Sequence, residues 1–156
     1  MRHSLYLLFA VAIQSLCCAD VTQLPVEDRR MLQDLSRFHE VHSIHDLPSA
    51  IVKLCAEDGH IADPGQNWNA TDAIMDPTLP AKRLIWGAMG GEYYYVVHYE
   101  RGGIAHTFHI LIAKLMKDDA KPKVVWSAGG APLKDYAAFV DAMRSGKLDD
   151  RPDHAH

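Results

Sequence analysis

Apolar residues recur at helical spacing in three separate parts of the chain. After Pro25, apolar positions three and four residues apart predict a surface helix over about 26–38 with one buried stripe. The same spacing predicts a second helix over about 48–57 and a last helix over about 132–145. Glycine follows the end of the second and third patterns, as is typical of helix C-termini.

Between residues 82 and 128 the pattern changes from helical to strand-like. The segments KRLIWGAM, EYYYVVHYER and IAHTFHILIAKLM are separated by Gly90–Gly91 and Gly102–Gly103, which predict two-residue hairpin turns. A fourth strand over 123–127 follows a polar loop. The pattern therefore predicts an α+β fold, in which an antiparallel meander of about four strands is covered by the helices on one face.

The diglycine turns also predict the register of the sheet. If they are the loop residues, Met89 pairs with Glu92, and Arg101 pairs with Ile104. One face of the sheet is then almost entirely apolar, and we expect the helices to cover it. The apolar face would hold Leu84, Trp86, Ala88, Tyr93, Tyr95, Val97, Tyr99, His106, Phe108, Ile110 and Ile112, and the mixed face Arg83, Ile85, Tyr94, Val96, His98, Glu100, Thr107, His109 and Leu111.

The mixed face carries the candidate chemistry. In this register His98 and His109 are diagonal neighbours, Arg83 lies opposite His98, and Glu100 follows two residues later. Such a group could bind a metal or pair an imidazole with a carboxylate for general acid–base catalysis. The alternative is a polar surface that faces solvent or a partner. Arg83 disfavours a cation and no third ligand has suitable spacing, so the sequence predicts neither a metal nor a cofactor.

Residues 59 to 82 form a long loop with three prolines, which makes this loop the first candidate for a binding region. Within it, Trp68 is flanked by amide side chains, and it is either an interface anchor or a cover for the core. Asn69-Ala70-Thr71 also fits the sequon for glycosylation. The predicted partner-binding residues are Trp68, Asn69, Asp72, Arg83, Tyr94, His98 and His109.

The first nineteen residues have the features of an export signal. Arg2 precedes an apolar run that is much shorter than the roughly 20 residues of a membrane span, and small residues then precede Asp20. Lipid attachment at Cys17 or Cys18 is disfavoured by the residues before them. The predicted organisation is a signal peptide over 1–19, one globular domain over 20–148 and a disordered tail over 149–156.

Removal of the signal would leave Cys55 as the single cysteine, so one chain could form no internal disulfide. Cys55 follows Ile51 by four residues on the predicted second helix. A free cysteine at such a position packs as a small apolar side chain. We therefore predict that Cys55 is buried.

Composition and charge narrow the classes of function. The 156 residues are 48% hydrophobic and carry a net charge of −4, which is typical of one ordinary globular domain. An acidic chain without a basic stripe is not expected to bind nucleic acid. The favoured function is an exported, non-catalytic binding protein for a protein or small ligand, comparable in size and location to inhibitors and immunity proteins.

Two alternatives remain open at this point. The first is a small hydrolase or metal-dependent enzyme that uses His98, Glu100 and His109. The second is a structural subunit of an envelope assembly, in which Cys55 or an exposed sheet edge makes the contact.

Overall fold

A computed structural model describes residues 24–56, 60–72, 76–117, 119 and 121–148. The predicted signal peptide and tail therefore lie outside the described residues. The rest is an α+β fold with a five-stranded antiparallel sheet, as predicted, although with one strand more than the predicted four or so. The elements in chain order are α1 (Val26–Leu32), β1 (Phe38–Val41), α2 (Ser49–Cys55), β2 (Lys82–Gly90), β3 (Tyr94–Arg101), β4 (Thr107–Lys114), β5 (Lys123–Gly130) and α3 (Tyr136–Arg144).

No described helix has the length and apolar character that crossing a membrane requires.

The additional strand, β1, arises where the sequence predicted the end of the first helix. The helix ends at Leu32, and the Asp34 side chain then accepts a hydrogen bond from the Ser36 backbone at 3.2 Å, which competes with helix continuation. Phe38 pairs with Gly90 of β2. A Cβ atom at Gly90 would lie 2.2 Å from the Arg37 carbonyl oxygen, so β1 can reach this position only because residue 90 is glycine.

The predicted register is wrong by three residues at both hairpins. Met89 pairs with Tyr95 rather than Glu92, and Arg101 pairs with Thr107 rather than Ile104. The first turn is longer than two residues, and Glu92 within it has a φ of 72°. Because the shift is an odd number, side chains predicted to share a face of neighbouring strands point to opposite faces.

Both faces of the sheet are covered, which corrects the prediction that all helices pack on one side. On one face, Trp86 and Val96 lie in a core with Phe139 of α3 and Leu32 of α1. On the other face, Val97 and other apolar side chains form a second core with Ile51 and Cys55 of α2. We call these the α1/α3 face and the α2 face. Helices cover both faces because, in the observed register, each face of the sheet carries its own set of apolar side chains.

Cys55 is 1% exposed, as the sequence predicted. Burial raises the pKa of the thiol to about 12. The thiol is therefore protonated at neutral pH, and in this position it is neither a nucleophile nor a contact for another chain.

Candidate functional site

A buried carboxylate at one end of the sheet binds an arginine and a histidine side chain. Arg83 on β2 and Glu100 on β3 are direct cross-strand partners. Arg83 Nε donates to Glu100 Oε1 at 2.6 Å, and His106 Nε2 lies 2.7 Å from Glu100 Oε2. An ionised carboxylate only accepts, so this imidazole nitrogen is the donor. Both oxygens of Glu100 are therefore engaged.

Trp68 packs against both side chains that bind Glu100. The guanidinium carbon of Arg83 lies 5.1 Å from the centre of the indole ring, and the imidazole of His106 lies 5.4 Å away, tilted by 59°. Trp68 is half-buried and belongs to neither apolar core in the described part of the chain. We call Trp68, Arg83, Glu100 and His106 the Glu100 cluster. It joins the long loop to the end of the sheet.

The loop is held in place by Asn69. Its backbone N–H donates to the Pro80 carbonyl at 2.9 Å, and its side-chain Nδ2 donates to the carbonyls of Asp76 and Leu79 at 2.8 and 2.9 Å. These bonds close the loop on itself. Asn69 thus positions the adjacent Trp68. The side-chain nitrogen of Asn69 is used in hydrogen bonds within the loop.

Gly102 allows the loop to reach the sheet. The Gly102 N–H donates to the Ala81 carbonyl at 2.9 Å. A Cβ atom on this residue would lie 2.0 Å from the Asn69 carbonyl oxygen and 2.7 Å from the Ala70 carbonyl carbon. The sequence pattern indicated a tight turn here, whereas the glycine is needed for the close approach of another backbone segment.

The segments that carry Trp68 and Arg83 also line a cleft of about 320 Å³. Asp72, a predicted contact residue, is exposed along this cleft. Its other walls come mainly from residues 77–82 and from Gly102 and Gly103. This volume is at the small end of the range for ligand pockets.

Comparisons with protein-family models, curated protein sequences and solved structures found no match to this chain.

The structure does not bring the two predicted site histidines together. His98 pairs with Ile110, and His109 pairs with Tyr99, so the two imidazoles point to opposite faces of the sheet. The shared face predicted from the sequence was wrong because the register differs by three residues. His109 is buried on the α2 face, where it stacks on Tyr99 at 5.1 Å and its Nε2 lies 2.8 Å from Thr107 Oγ1.

His98 is buried on the α1/α3 face with both ring nitrogens occupied. Its Nδ1 lies 2.8 Å from the His109 carbonyl oxygen, and the Leu133 N–H donates to Nε2 at 3.0 Å. A carbonyl only accepts and an N–H only donates, so Nδ1 carries the proton and the ring is neutral. Burial lowers the pKa of His98, which favours the same neutral form. His98 therefore connects β3 to the segment before α3.

Tyr94, another predicted contact residue, lies at the opposite end of β3 from Glu100. Its hydroxyl donates to Asp28 of α1, and Lys114 Nζ lies 2.6 Å from the same carboxylate oxygen. Burial, followed by the Asp28 hydrogen bond, raises the pKa of Tyr94. This group fastens α1 to the sheet.

Two residues of the site region were missed by the sequence analysis. The incorrect register placed His106 on the apolar face, whereas it binds Glu100 across the β3–β4 loop. Ile104 in the same loop is 96% exposed. A glutamate and a histidine that flank a diglycine six residues apart are the only sequence signal that could have indicated the first of these contacts.

The chemistry of the Glu100 cluster suits recognition better than proton transfer. Both Glu100 oxygens are held, so this carboxylate is not free to act as a base. The side chains of Arg83 and His106 are 31% and 43% exposed, and with Trp68 they form a surface that combines an indole, a guanidinium and an imidazole. In the described ranges, no group of three or more histidine, cysteine, aspartate or glutamate side chains is placed to hold a metal ion.

Proposed function

We propose that this chain is an exported, non-catalytic binding protein that contacts a protein partner through the Glu100 cluster. The observation that carries the proposal is the position of Trp68, which is half-buried against Arg83 and His106 on a loop closed by hydrogen bonds. Tryptophan and arginine are enriched among the residues that dominate binding energy at interfaces. Their fixed geometry lowers the entropy lost on association.

The surroundings of the cluster indicate the chemistry of the partner. The loop that carries the exposed Ile104 lies beside the Trp68 loop, since Gly103 forms a bridge with Thr71. The surface thus combines an aromatic ring and an aliphatic side chain with the Arg83 guanidinium and the His106 imidazole. A partner that presents an apolar residue flanked by carboxylates would complement it.

The export part of the proposal is supported by the residue pattern of the first nineteen positions. An exported binding protein would meet its partner outside the cytoplasm. The partner should therefore be sought among proteins of the medium or the cell envelope.

Trp68→Ala tests the proposed surface. We expect the wild-type protein, expressed from its full gene and tagged at the C-terminus, to capture a partner from these fractions. Trp68→Ala should weaken that capture at least tenfold, because loss of a central aromatic anchor removes about 2 kcal/mol or more of binding free energy. Mass spectrometry identifies the partner and locates the N-terminus of the purified chain, which export predicts at Asp20.

Val26→Ala is the matched control for this experiment. Val26 is an exposed apolar side chain on α1, away from the Glu100 cluster. Capture by Val26→Ala should equal that of the wild type. Equal capture by Trp68→Ala and the wild type, with circular dichroism showing both folded, would remove the Glu100 cluster as the binding surface.

A further inference from the structure

Arg83 is held from two sides, yet most of its hydrogen-bond donors are unused. Its Nε donates to Glu100 Oε1 at 2.6 Å, and the guanidinium carbon lies 5.1 Å from the centre of the Trp68 indole ring. An arginine also carries N–H donors on its two terminal nitrogens, Nη1 and Nη2. Within the described residues, neither terminal nitrogen of Arg83 makes a hydrogen bond. Neither is a buried atom without a partner, so both are accessible to solvent.

Glu100 leaves this edge of the guanidinium open because it does not bind Arg83 through both oxygens. Arginine and carboxylate groups often pair through two parallel hydrogen bonds. Here the carboxylate divides its oxygens, so that Oε1 accepts from Arg83 and Oε2 accepts from His106 at 2.7 Å. Glu100 is 5% exposed. It therefore orients the guanidinium from the protein side, while the two terminal nitrogens keep the geometry that matches the two oxygens of a planar anion.

We infer that the terminal nitrogens of Arg83 bind a carboxylate side chain of the protein partner, which makes the contact segment of that partner acidic. This inference rests on the proposed function, because Arg83 and Trp68 belong to the same surface. The partner carboxylate would accept parallel hydrogen bonds from Nη1 and Nη2, and an apolar neighbour of it would pack on Trp68. Glu100 is then a positioning residue that acts through Arg83.

The charges of the cluster favour a carboxylate over a phosphate group. Arginine is always positively charged, and the ionised Glu100 carboxylate beside it carries one negative charge, so the two formal charges cancel. Glu100 would repel a phosphate group with about two negative charges more strongly than a carboxylate with one. The site offers oriented donors rather than excess positive charge, and a planar anion with a single charge fits such a site best.

The peptide acetyl-GDLDG-amide is a suitable probe, with acetyl-GNLNG-amide as its neutral control. The two peptides differ only in carboxylates that are replaced by amides of similar shape. Titration into the ¹⁵N-labelled wild-type protein, followed by nuclear magnetic resonance, should show that the acidic peptide binds about tenfold more tightly. It should shift the indole N–H signal of Trp68 and leave that of Trp126, which is buried in the core of the α1/α3 face, unchanged.

Arg83→Lys tests the donor geometry at constant charge. Lysine can still bind Glu100, but it has no planar fork of donors for a second carboxylate. Affinity for the acidic peptide should therefore fall about tenfold. Arg30→Lys, which changes an exposed arginine of α1, should leave that affinity within about twofold of the wild type. The comparison of the two peptides uses only the wild-type protein, so it holds even if Arg83→Lys does not fold.

Three results would overturn the inference. The first is equal binding of both peptides by the wild type, and the second is unchanged binding of the acidic peptide by folded Arg83→Lys. The third is binding of acetate or inorganic phosphate as tightly as the acidic peptide, which would make a small free anion the ligand.

Capture of the partner separates this inference from the proposed function. If Trp68→Ala lost capture and Arg83→Lys retained it, the Glu100 cluster would remain the binding surface without a carboxylate contact at Arg83. Equal capture by the wild type and both folded variants would remove the surface and the carboxylate contact together.

Discussion

Replacing His98 by leucine is expected to lower the free energy of unfolding by about 1–3 kcal/mol, because it removes both hydrogen bonds of a buried imidazole. These bonds join the two ring nitrogens of His98 to the Leu133 N–H at 3.0 Å and to the His109 carbonyl at 2.8 Å. The leucine fits a similar volume but offers neither a donor nor an acceptor. Urea denaturation at pH 7.5 measures the change.

Two variants control for this prediction. His98→Gln retains an amide that can accept from the Leu133 N–H, so it should be less destabilising than His98→Leu. His45→Leu changes an exposed histidine and should alter stability by less than about 0.5 kcal/mol. If His98→Leu were as stable as His45→Leu, the hydrogen bonds assigned to the buried imidazole would be wrong.

The same residue makes stability depend on pH. Burial holds the pKa of His98 below its ordinary value in the folded protein, so the unfolded chain binds more protons than the folded chain as the pH falls. The contribution of neutral His98 is complete above about pH 6.5 and is lost below it, with a slope of up to about 1.4 kcal/mol per pH unit. In His98→Gln this part of the slope should disappear between pH 7 and pH 5. An unchanged slope would contradict a neutral, buried His98.

Gly102→Ala is expected to destabilise the protein by about 1–3 kcal/mol or more, because the new methyl group meets backbone atoms that cannot move aside cheaply. The Cβ atom would lie 2.0 Å from the Asn69 carbonyl oxygen. The Trp68 loop must therefore shift away from the sheet end. We expect partner capture to fall together with stability, and both are measured on the same purified variant.

Gly130→Ala is the control for the glycine substitution. A Cβ atom at Gly130, at the end of β5, has no heavy atom within 4 Å. Its stability and partner capture should match those of the wild type. Wild-type stability in Gly102→Ala would show that the loop does not lie against Gly102.

The strands were predictable because apolar side chains alternate along them. The register was not, because it depends on whether a few glycines turn the chain or make room for another backbone segment. The sequence pattern interpreted Gly90–Gly91 and Gly102–Gly103 as two-residue turns. In the structure, Gly90 makes room for β1 and Gly102 for the Asn69–Ala70 backbone. Sequence does not distinguish a glycine that turns the chain from one that admits another segment, because that second segment is distant along the chain.

The members of the candidate site could be named from the sequence, but their grouping could not. Trp68, Arg83 and Glu100 were each recognised as chemically suitable. Their meeting point depends on the cross-strand pairing of Arg83 with Glu100 and on the closed loop that carries Trp68. His98 was assigned to the surface for the same reason, since a register error of three residues exchanges the faces of the sheet.

Trp68 and His106 form one preorganised surface, while His98 is buried separately among core side chains. Nuclear Overhauser contacts in the free protein measure both placements. Contacts between the Trp68 indole and His106 ring protons, together with contacts between His98 and Trp86, are the predicted result. A Trp68 indole without contact to His106, or a His98 ring that contacts the side chain of His109, would contradict this arrangement.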